Sequence, residues 1–365
     1  MDILKLNAIS PLADEILEGY NLTDASDAPV GILVRSANMA EYAVPSSLLA
    51  VARAGAGVNN IPHADYAARG IVVFNTPGAN ANSVKEMVIC ELILAARNIA
   101  ESIAWASSLT GDDVAKQVEK GKKQFVGHEI LGKTLAVLGL GAIGRKVAVA
   151  ANALGMNVVG YDPYLSEAAK SEIPFVTVLS TPAEACAEAD FVTLHMPATA
   201  ETTGMINADS LAAMKDGVVI INAARAELVK VDDIKAALAD GKVHKYVADF
   251  PTAEVNNHKG IVAVPHLGAS TEEAEDNCAV MAAGELKDFI ENGNVVNSVN
   301  LPCLKAENVK AHRATVIAKE GTALPEGATA KTAKGYVYAI YESDDAIDAA
   351  ALEKIDGVIR VRVIR

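Results

Sequence analysis

Three observations predict an α/β chain of two doubly wound parallel-sheet domains, one inserted into the other, followed by a small α+β module. Apolar strand-like runs alternate with helix-like segments through most of the chain, the pattern that gives a parallel sheet covered by helices. A strand, a glycine turn and a helix start follow one another at Gly139, more than a third of the way along 365 residues, so a separate folding unit precedes that turn. From Ala306 the texture changes to strands separated by a Gly- and Pro-rich loop.

The elements follow in order. Strands are predicted at 3–8, 30–35, 49–54 and 71–75, with helices at 11–18, 62–69 and 83–100. The next unit carries strands near 133–138, 156–161, 175–178, 190–194, 217–221, 244–248 and 261–264, with helices between them. A helical stretch over 271–291 then carries the chain back towards the first unit. The expected domains are therefore 1–98 with 272–303, 99–271, and 304–365. In the last, strands are expected at 312–319, 334–342 and 358–364, a loop at 321–327 and a helix at 346–355.

The glycine turn has a chemical meaning. An apolar run ends in Gly139-Leu140-Gly141-Ala142-Ile143-Gly144. Gly139 permits the turn, Gly141 lets backbone approach a pyrophosphate, and Gly144 lets the helix pack on the strand. The helix start at Ala142 and Ile143 points free N–H groups and a positive dipole end at the phosphates. A second strand ends at Asp162, 18 positions after Gly144, the spacing of an acid that binds a ribose hydroxyl. Its plainer role is to close a turn before Pro163. No arginine follows directly, and a carboxylate repels a 2′-phosphate, so NAD is expected rather than NADP.

Composition narrows the alternatives. An apolar content of 51% excludes a disordered chain, and a net charge of −14 argues against nucleic acid or an anionic membrane as the main partner. Cys90, Cys186, Cys278 and Cys303 have no metal-ligand spacing, so no metal is expected. No signal peptide and no 18-residue apolar run is read, which makes the cytoplasm the expected compartment.

Three segments place reactive side chains at strand ends, where open α/β sheets bind ligands. They are Asn222-Ala223-Ala224-Arg225, Ala248-Asp249 with Glu254 after it, and Val264-Pro265-His266-Leu267-Gly268-Ala269. Each residue alone has a plainer role: a helix cap for His266, a surface ion pair for Arg225, a solvated carboxylate for Glu254. Together on three neighbouring strands they suit one reaction. A carbinol that loses hydride must lose its hydroxyl proton to a base, and His266 is the candidate, with Glu254 raising its basicity. Arg225 offers a planar fork to an α-carboxylate. The rival base, His195, precedes Met196, Pro197 and Thr202 in a segment read as lining the cofactor.

These segments, with Val34-Arg35-Ser36, Arg53-Ala54-Gly55-Ala56-Gly57, Asn75-Thr76-Pro77 and Tyr161-Asp162-Pro163, resemble the D-isomer-specific 2-hydroxyacid dehydrogenase family over residues 30–300. The resemblance implies two Rossmann/flavodoxin-like domains, a cofactor cleft between them, and Arg225, Glu254 and His266 as catalytic residues. It implies cofactor contacts from Thr76, Ala223, Ala224, Asp249, His266, Gly268 and Ala269. Substrate contacts are implied at Ala54, Gly55, Ala56, Gly57, Arg225 and His266. A phosphorylated 2-hydroxy acid is the expected substrate, with Arg35, Ser36 and Arg53 binding its far end. Another unphosphorylated hydroxy acid, or an NAD(H)-sensing protein without catalysis, are the alternatives. A homodimer or higher homo-oligomer is expected. Ala226-Glu227 stand where the family usually has a glycine pair, and Asn59 where it has Asp.

The end of the chain resembles an ACT domain lacking its first helix. The loop at 321–327 stands in that helix's place, so the family's L-serine effector site is expected to be absent and the module to serve assembly.

Overall fold

The computed structural model describes residues 1–307 and 309–365. Contacts divide the chain into two compact units, residues 1–80 with 271–365, and residues 81–270.

The first unit begins with β1 (Asp2–Lys5), α1 (Leu12–Ile16), β2 (Asn21–Thr23), β3 (Gly31–Val34), β4 (Ala50–Arg53), α2 (His63–Ala68) and β5 (Val72–Phe74). The strands form a parallel sheet in the order β2-β1-β3-β4-β5, the flavodoxin-like arrangement. β3 and β5 are buried at every position, which is why they read as continuous apolar runs. The short edge strand β2 is polar at two of its three positions and was not expected from the sequence.

The second unit contains α3 (Ala81–Ala96), α4 (Ile99–Ser108), α5 (Val114–Gly121), β6 (Thr134–Leu138), α6 (Ala142–Ala153), β7 (Asn157–Tyr161), α7 (Glu167–Ser171) and β8 (Thr177–Val178). It continues with α8 (Pro182–Ala187), β9 (Phe191–Leu194), α9 (Ala208–Ala212), β10 (Val218–Asn222), α10 (Val231–Ala239), β11 (Val243–Ala248) and β12 (Ile261–Ala263). All seven strands are parallel, in the order β12-β11-β10-β9-β6-β7-β8.

Two boundaries differ from the sequence reading. The helix expected over 83–100 is split, because Asn98 adopts a left-handed conformation (φ 50°). The first unit ends at residue 80 rather than 98. Val84, Val88, Leu92 and Ala95 of α3 are buried with Val137 of β6 and Val147 of α6, which commits this helix to the second unit's core.

The chain re-enters the first unit through α11 (Glu272–Asn292). Thr271 caps it by accepting the Ala274 N–H (3.2 Å), and Gly293, at φ 71°, ends it. Its Ala279, Ala282, Ala283 and Leu286 are buried in one core with Leu33, Ala50 and Phe74 of the first sheet.

The remaining elements are β13 (His312–Lys319), β14 (Ala328–Ala333), β15 (Tyr336–Ser343), α12 (Ala349–Glu353) and β16 (Val358–Val363). They form an antiparallel sheet in the order β14-β15-β13-β16. β14 was missed because Ala328–Ala333 is mostly exposed and polar or small. Its turn is nonetheless legible in retrospect: Lys334 and Gly335 both have positive φ, as a two-residue hairpin loop requires.

One face of this sheet carries Val316, Ala318, Val337 and Ala339 against Leu352. The other sends Ile317, Tyr338 and Ile340 into the core around Leu286, Phe289 and Ile290. The segment expected to stand alone from residue 304 therefore shares its core with residues 1–80. Tyr338 Oη donates to Gly293 O (2.6 Å), and Arg360 Nη1 to Leu48 O (2.6 Å). The Arg362 guanidinium lies 4.3 Å from the Phe289 ring centroid and donates to Phe289 O. Among the described residues no helix is long and apolar enough to cross a membrane.

Candidate active site

The glycine turn comes first. Leu135 to Leu138 are fully buried and feed Gly139 at φ 93°. A Cβ at Gly139 would lie 2.6 Å from His195 O, and one at Gly144 only 1.9 Å from Gly139 O. Helix α6 thus rests directly on the turn. Gly141 is its N-cap, makes no side-chain cap bond, and a Cβ there would meet nothing within 4 Å. The first-turn N–H groups of Ala142 and Ile143 have no capping side chain, and an anion satisfies such groups.

A cavity of about 570 Å³ adjoins the turn. Gly139, Gly141, Asp162, His195, Met196, Pro197 and Thr202 line it, with Pro182, Met205 and Met214 adding apolar surface. Asp162 fills the plainer of the two roles raised by its position and also lines the cavity. Its Oδ2 accepts the Leu140 N–H and its Oδ1 the Tyr164 N–H, each at 2.9 Å, so it closes the turn while facing the cavity. A carboxylate oxygen has two lone pairs, so both oxygens retain capacity for ribose hydroxyls. Open backbone at Gly141, an uncapped helix start and an acid at the next strand end fit a dinucleotide.

His195 pairs its Nε2 with Thr193 Oγ1 at 2.9 Å, and burial holds its pKa down at about 3. It is a neutral imidazole at physiological pH and a poor base.

The strand order puts β10, β11 and β12 side by side, so the segments carrying Arg225, Asp249 with Glu254, and His266 leave the same sheet edge. At the end of β10, Asn222 is fully buried. Its Oδ1 accepts the N–H groups of Ala224 (3.1 Å) and Arg225 (3.3 Å), and its Nδ2 donates to Arg225 O (2.8 Å). Arg225 is half-buried, its Nη1 donating to Ala224 O at 2.6 Å.

At the end of β11, Asp249 is 1% exposed and accepts from Leu267 N (2.8 Å) and Gly268 N (3.1 Å). Asp249 therefore clamps the turn that presents His266. Burial raises its pKa, against those two backbone bonds. Ser83 Oγ holds the same turn by donating to Gly268 O (2.8 Å). His266 is exposed, at φ 53°, with Phe250 edge-on at 5.0 Å. A non-glycine residue held at such a φ is strained, a condition that concentrates at functional sites. Glu254 is exposed in the loop after β11. Among the described residues no hydrogen bond or ion pair joins Glu254 to His266. The structure gathers the three catalytic candidates at one edge without linking those two.

Sequence reasoning missed Glu91 of α3. It is fully buried, and both carboxylate oxygens lack a hydrogen-bond partner among the described residues. Burial, with Asp249 nearby, lifts its pKa to about 8. A lone acid inside an otherwise apolar helix stretch was the only available signal.

The first unit carries the expected substrate loops. Asn7, also missed, accepts the N–H groups of Arg35 (3.3 Å), Ser36 (3.0 Å) and Ala37 (2.8 Å) on one side-chain oxygen. Arg53 Nε and Asn60 Nδ2 donate to Arg35 O at 3.0 and 3.4 Å. Arg35 Nη2 forms an ion pair with Glu275 Oε1 at 2.6 Å. In the 54–57 loop, Ala54 N donates to Val34 O (2.8 Å) and Asn75 Nδ2 to Ala56 O (2.6 Å). Thr76, expected to face cofactor, is fully buried and braces this loop by donating its N–H to Gly55 O (3.1 Å).

The chain is similar to known proteins. Residues 91–268 match the NAD binding domain of the D-isomer specific 2-hydroxyacid dehydrogenases. D-3-phosphoglycerate dehydrogenase of Methanocaldococcus jannaschii is 36% identical over 271 residues, 72% of this chain and 49% of that protein. The enzyme of the same name from Bacillus subtilis is 34% identical over 319 residues, 83% of this chain and 58% of that protein. The chain thus spans about half the length of the curated relatives it matches. Among solved structures, NAD+-bound 3-phosphoglycerate dehydrogenase from Entamoeba histolytica superimposes with a TM-score of 0.66 at 27% identity, covering 83% of this chain and 99% of that one. A glyoxylate reductase from Paecilomyes thermophila gives 0.69 at 25% identity, covering 82% and 98%.

Proposed function

The chain belongs to the D-isomer specific 2-hydroxyacid dehydrogenase family, and from that premise we propose that it oxidises D-3-phosphoglycerate to 3-phosphohydroxypyruvate, the entry to L-serine synthesis. The observation that carries the reading is the adjacency of β10, β11 and β12, whose trailing segments bear Arg225, Glu254 and His266 in a sheet built for NAD.

NAD, when bound, supplies the hydride acceptor. The cavity residues Gly139, Gly141 and Asp162 would hold it. His266 takes the proton released from the substrate hydroxyl and returns it in the reverse direction. Glu254 is the carboxylate assigned to orient the His266 ring during that transfer. Arg225, its backbone fixed by Asn222, binds the α-carboxylate and polarises the neighbouring oxygen. Asp249 holds the turn on which His266 rides. Arg35, Ser36 and Arg53 take the phosphoryl end.

The glyoxylate reductase likeness keeps a second substrate in view, an unphosphorylated 2-oxo acid. A sensor without catalysis is the less favoured reading, because NAD(H) binding alone has no use for Arg225 and His266. His266→Asn and Arg225→Ala separate the two. Both variants should bind NADH like the parent and lose turnover by at least about a hundredfold. A parent chain that binds NADH and turns over no hydroxy acid would establish the sensor.

Two finer points complete the proposal. Under the same proposal the chain acts in the cytoplasm as a homodimer or higher homo-oligomer, and exposed apolar surface supports the assembly. Helices α4 and α5 bury no residue, while Ile103, Val126 and Leu131 are 58–77% exposed. The C-terminal sheet is an ACT-like module without its first helix and serves structure rather than serine sensing, supported by the core it shares with α11. Inhibition by micromolar L-serine would contradict that assignment.

A further inference from the structure

We propose that Glu275 is a specificity-determining residue that competes, as an internal carboxylate, with the phosphoryl group of a ligand for Arg35. The proposal rests on the reading that Arg35 faces the far end of the substrate.

The two partners have very different freedom. The backbone of residues 35–37 is pinned by one N–H bond from each residue to Asn7 Oδ1, and the Arg35 carbonyl accepts from Arg53 and Asn60. Glu275 lies in the first turn of α11, a 21-residue helix capped by Thr271 and buried along one face. With both backbones fixed, the 2.6 Å pair between Arg35 Nη2 and Glu275 Oε1 is set by side-chain rotamers alone. The side chains are 39% and 43% exposed, so an incoming anion can reach the guanidinium. An ion pair this exposed is held weakly and exchanges readily.

The surroundings give the competition its sign. Cys278, one turn further along α11, feels Arg53, Arg35 and Glu275 together, so two guanidinium groups and one carboxylate share this locality. A dianionic phosphoryl group placed against Arg35 must displace Glu275 and then tolerate its charge nearby. A neutral hydroxymethyl group meets neither cost. Because specificity is a difference of affinities, Glu275 narrows the preference for phosphorylated over unphosphorylated substrate that Arg35 and Arg53 create. The other acids of that turn, Glu272 and Glu273, form no ion pair among the described residues and complement the helix dipole.

The test compares 3-phosphohydroxypyruvate with hydroxypyruvate, which differ only in the phosphoryl group, in the full chain and in Glu275→Gln. KM for the phosphorylated acid should fall about fivefold, as expected for relief of one nearby like charge at partial exposure. KM for hydroxypyruvate, or its inhibition constant where turnover is absent, should stay within twofold, and kcat should not change. A KM that rises, stays level or falls equally for both acids overturns the proposal. Glu275→Asp, which keeps the charge but withdraws it by one methylene, should fall between parent and Gln, and it preserves the test if the Gln variant does not fold.

Arg35→Ala separates the failures. A selective loss for the phosphorylated acid upholds the role of Arg35, so a neutral Glu275→Gln then sinks only the competition. Equal losses for both acids sink the role of Arg35 itself. If the parent turns over neither acid, titration with inorganic phosphate still reads the exchange, with tighter binding expected for Glu275→Gln.

Discussion

Alanine at Gly144 and alanine at Gly141 should damage different properties of the second unit. At Gly144 the new methyl would lie 1.9 Å from Gly139 O, roughly half an ordinary contact distance. The obstacle is backbone, so helix α6 must slide away from β6. Overpacking of this kind costs about 1–3 kcal/mol, and a backbone clash belongs at the upper end. In a unit spanning residues 81–270, that corresponds to a fall in Tm of about 6–12 °C. At Gly141 the methyl meets nothing within 4 Å, and the backbone, φ −66° and ψ −161°, suits alanine. Its cost to stability is under ~1 kcal/mol. The methyl instead enters the cavity at the helix start, where the proposal puts the pyrophosphate, so the NADH Kd should rise at least about tenfold, or about 1.4 kcal/mol. Thermal melts without cofactor and NADH fluorescence titrations read both effects. The reasoning is refuted if Gly141→Ala melts as low as Gly144→Ala, or if it binds NADH within twofold of the parent.

Two further substitutions test buried titratable groups. His195, held at about 3 against an ordinary 6.5, keeps its full contribution to stability above pH 6.5. That contribution is lost as pH falls towards 3, at up to about 1.4 kcal/mol per unit. His195→Asn should therefore show a shallower acid limb in urea unfolding, while the pH profile of kcat/KM keeps its shape. A profile that loses its basic group in this variant would instead make His195 the base. Glu91 is raised to about 8 from 4.5, so the folded state holds a proton that the unfolded state releases, and stability falls as pH rises between those values. Glu91→Gln should gain on the order of 3 kcal/mol over the parent at pH 8.5 and almost nothing at pH 4.5. An equal change at both pH values would show that Glu91 does not titrate in this window.

The chemistry of this chain was legible where it depends on local backbone demands. Gly139 and Gly144 announce a turn and a close packing, and the structure uses both in that way, while the backbone at Gly141 faces open space. The central strands of the second unit, β6, β9 and β10, were readable because buried parallel strands leave unbroken apolar runs. What was hidden depends on partners distant in sequence. β2 and β14 are short or exposed edge strands whose residues carry no apolar pattern. Asn98 breaks a helix that its neighbours favour. Asn7 and Asn222 are ordinary polar residues until folding puts a loop's N–H groups against their oxygens. Asp249 was expected at cofactor, and its grip on the His266 turn emerges only when β11 and β12 lie together. The docking of the C-terminal sheet on α11 and the engagement of Arg35 by Glu275 are tertiary in the same sense.

The most direct test of the dehydrogenase reading is the rate of NADH formation with D-3-phosphoglycerate, measured beside D-glycerate, D-lactate and D-2-hydroxyglutarate under the same conditions. The proposed roles of His266 and Arg225 in catalysis, and of Arg35 and Arg53 in binding a phosphoryl group, predict turnover that is highest with D-3-phosphoglycerate and disappears in His266→Asn. Equal or faster turnover of an unphosphorylated acid, or activity that survives His266→Asn, would contradict it.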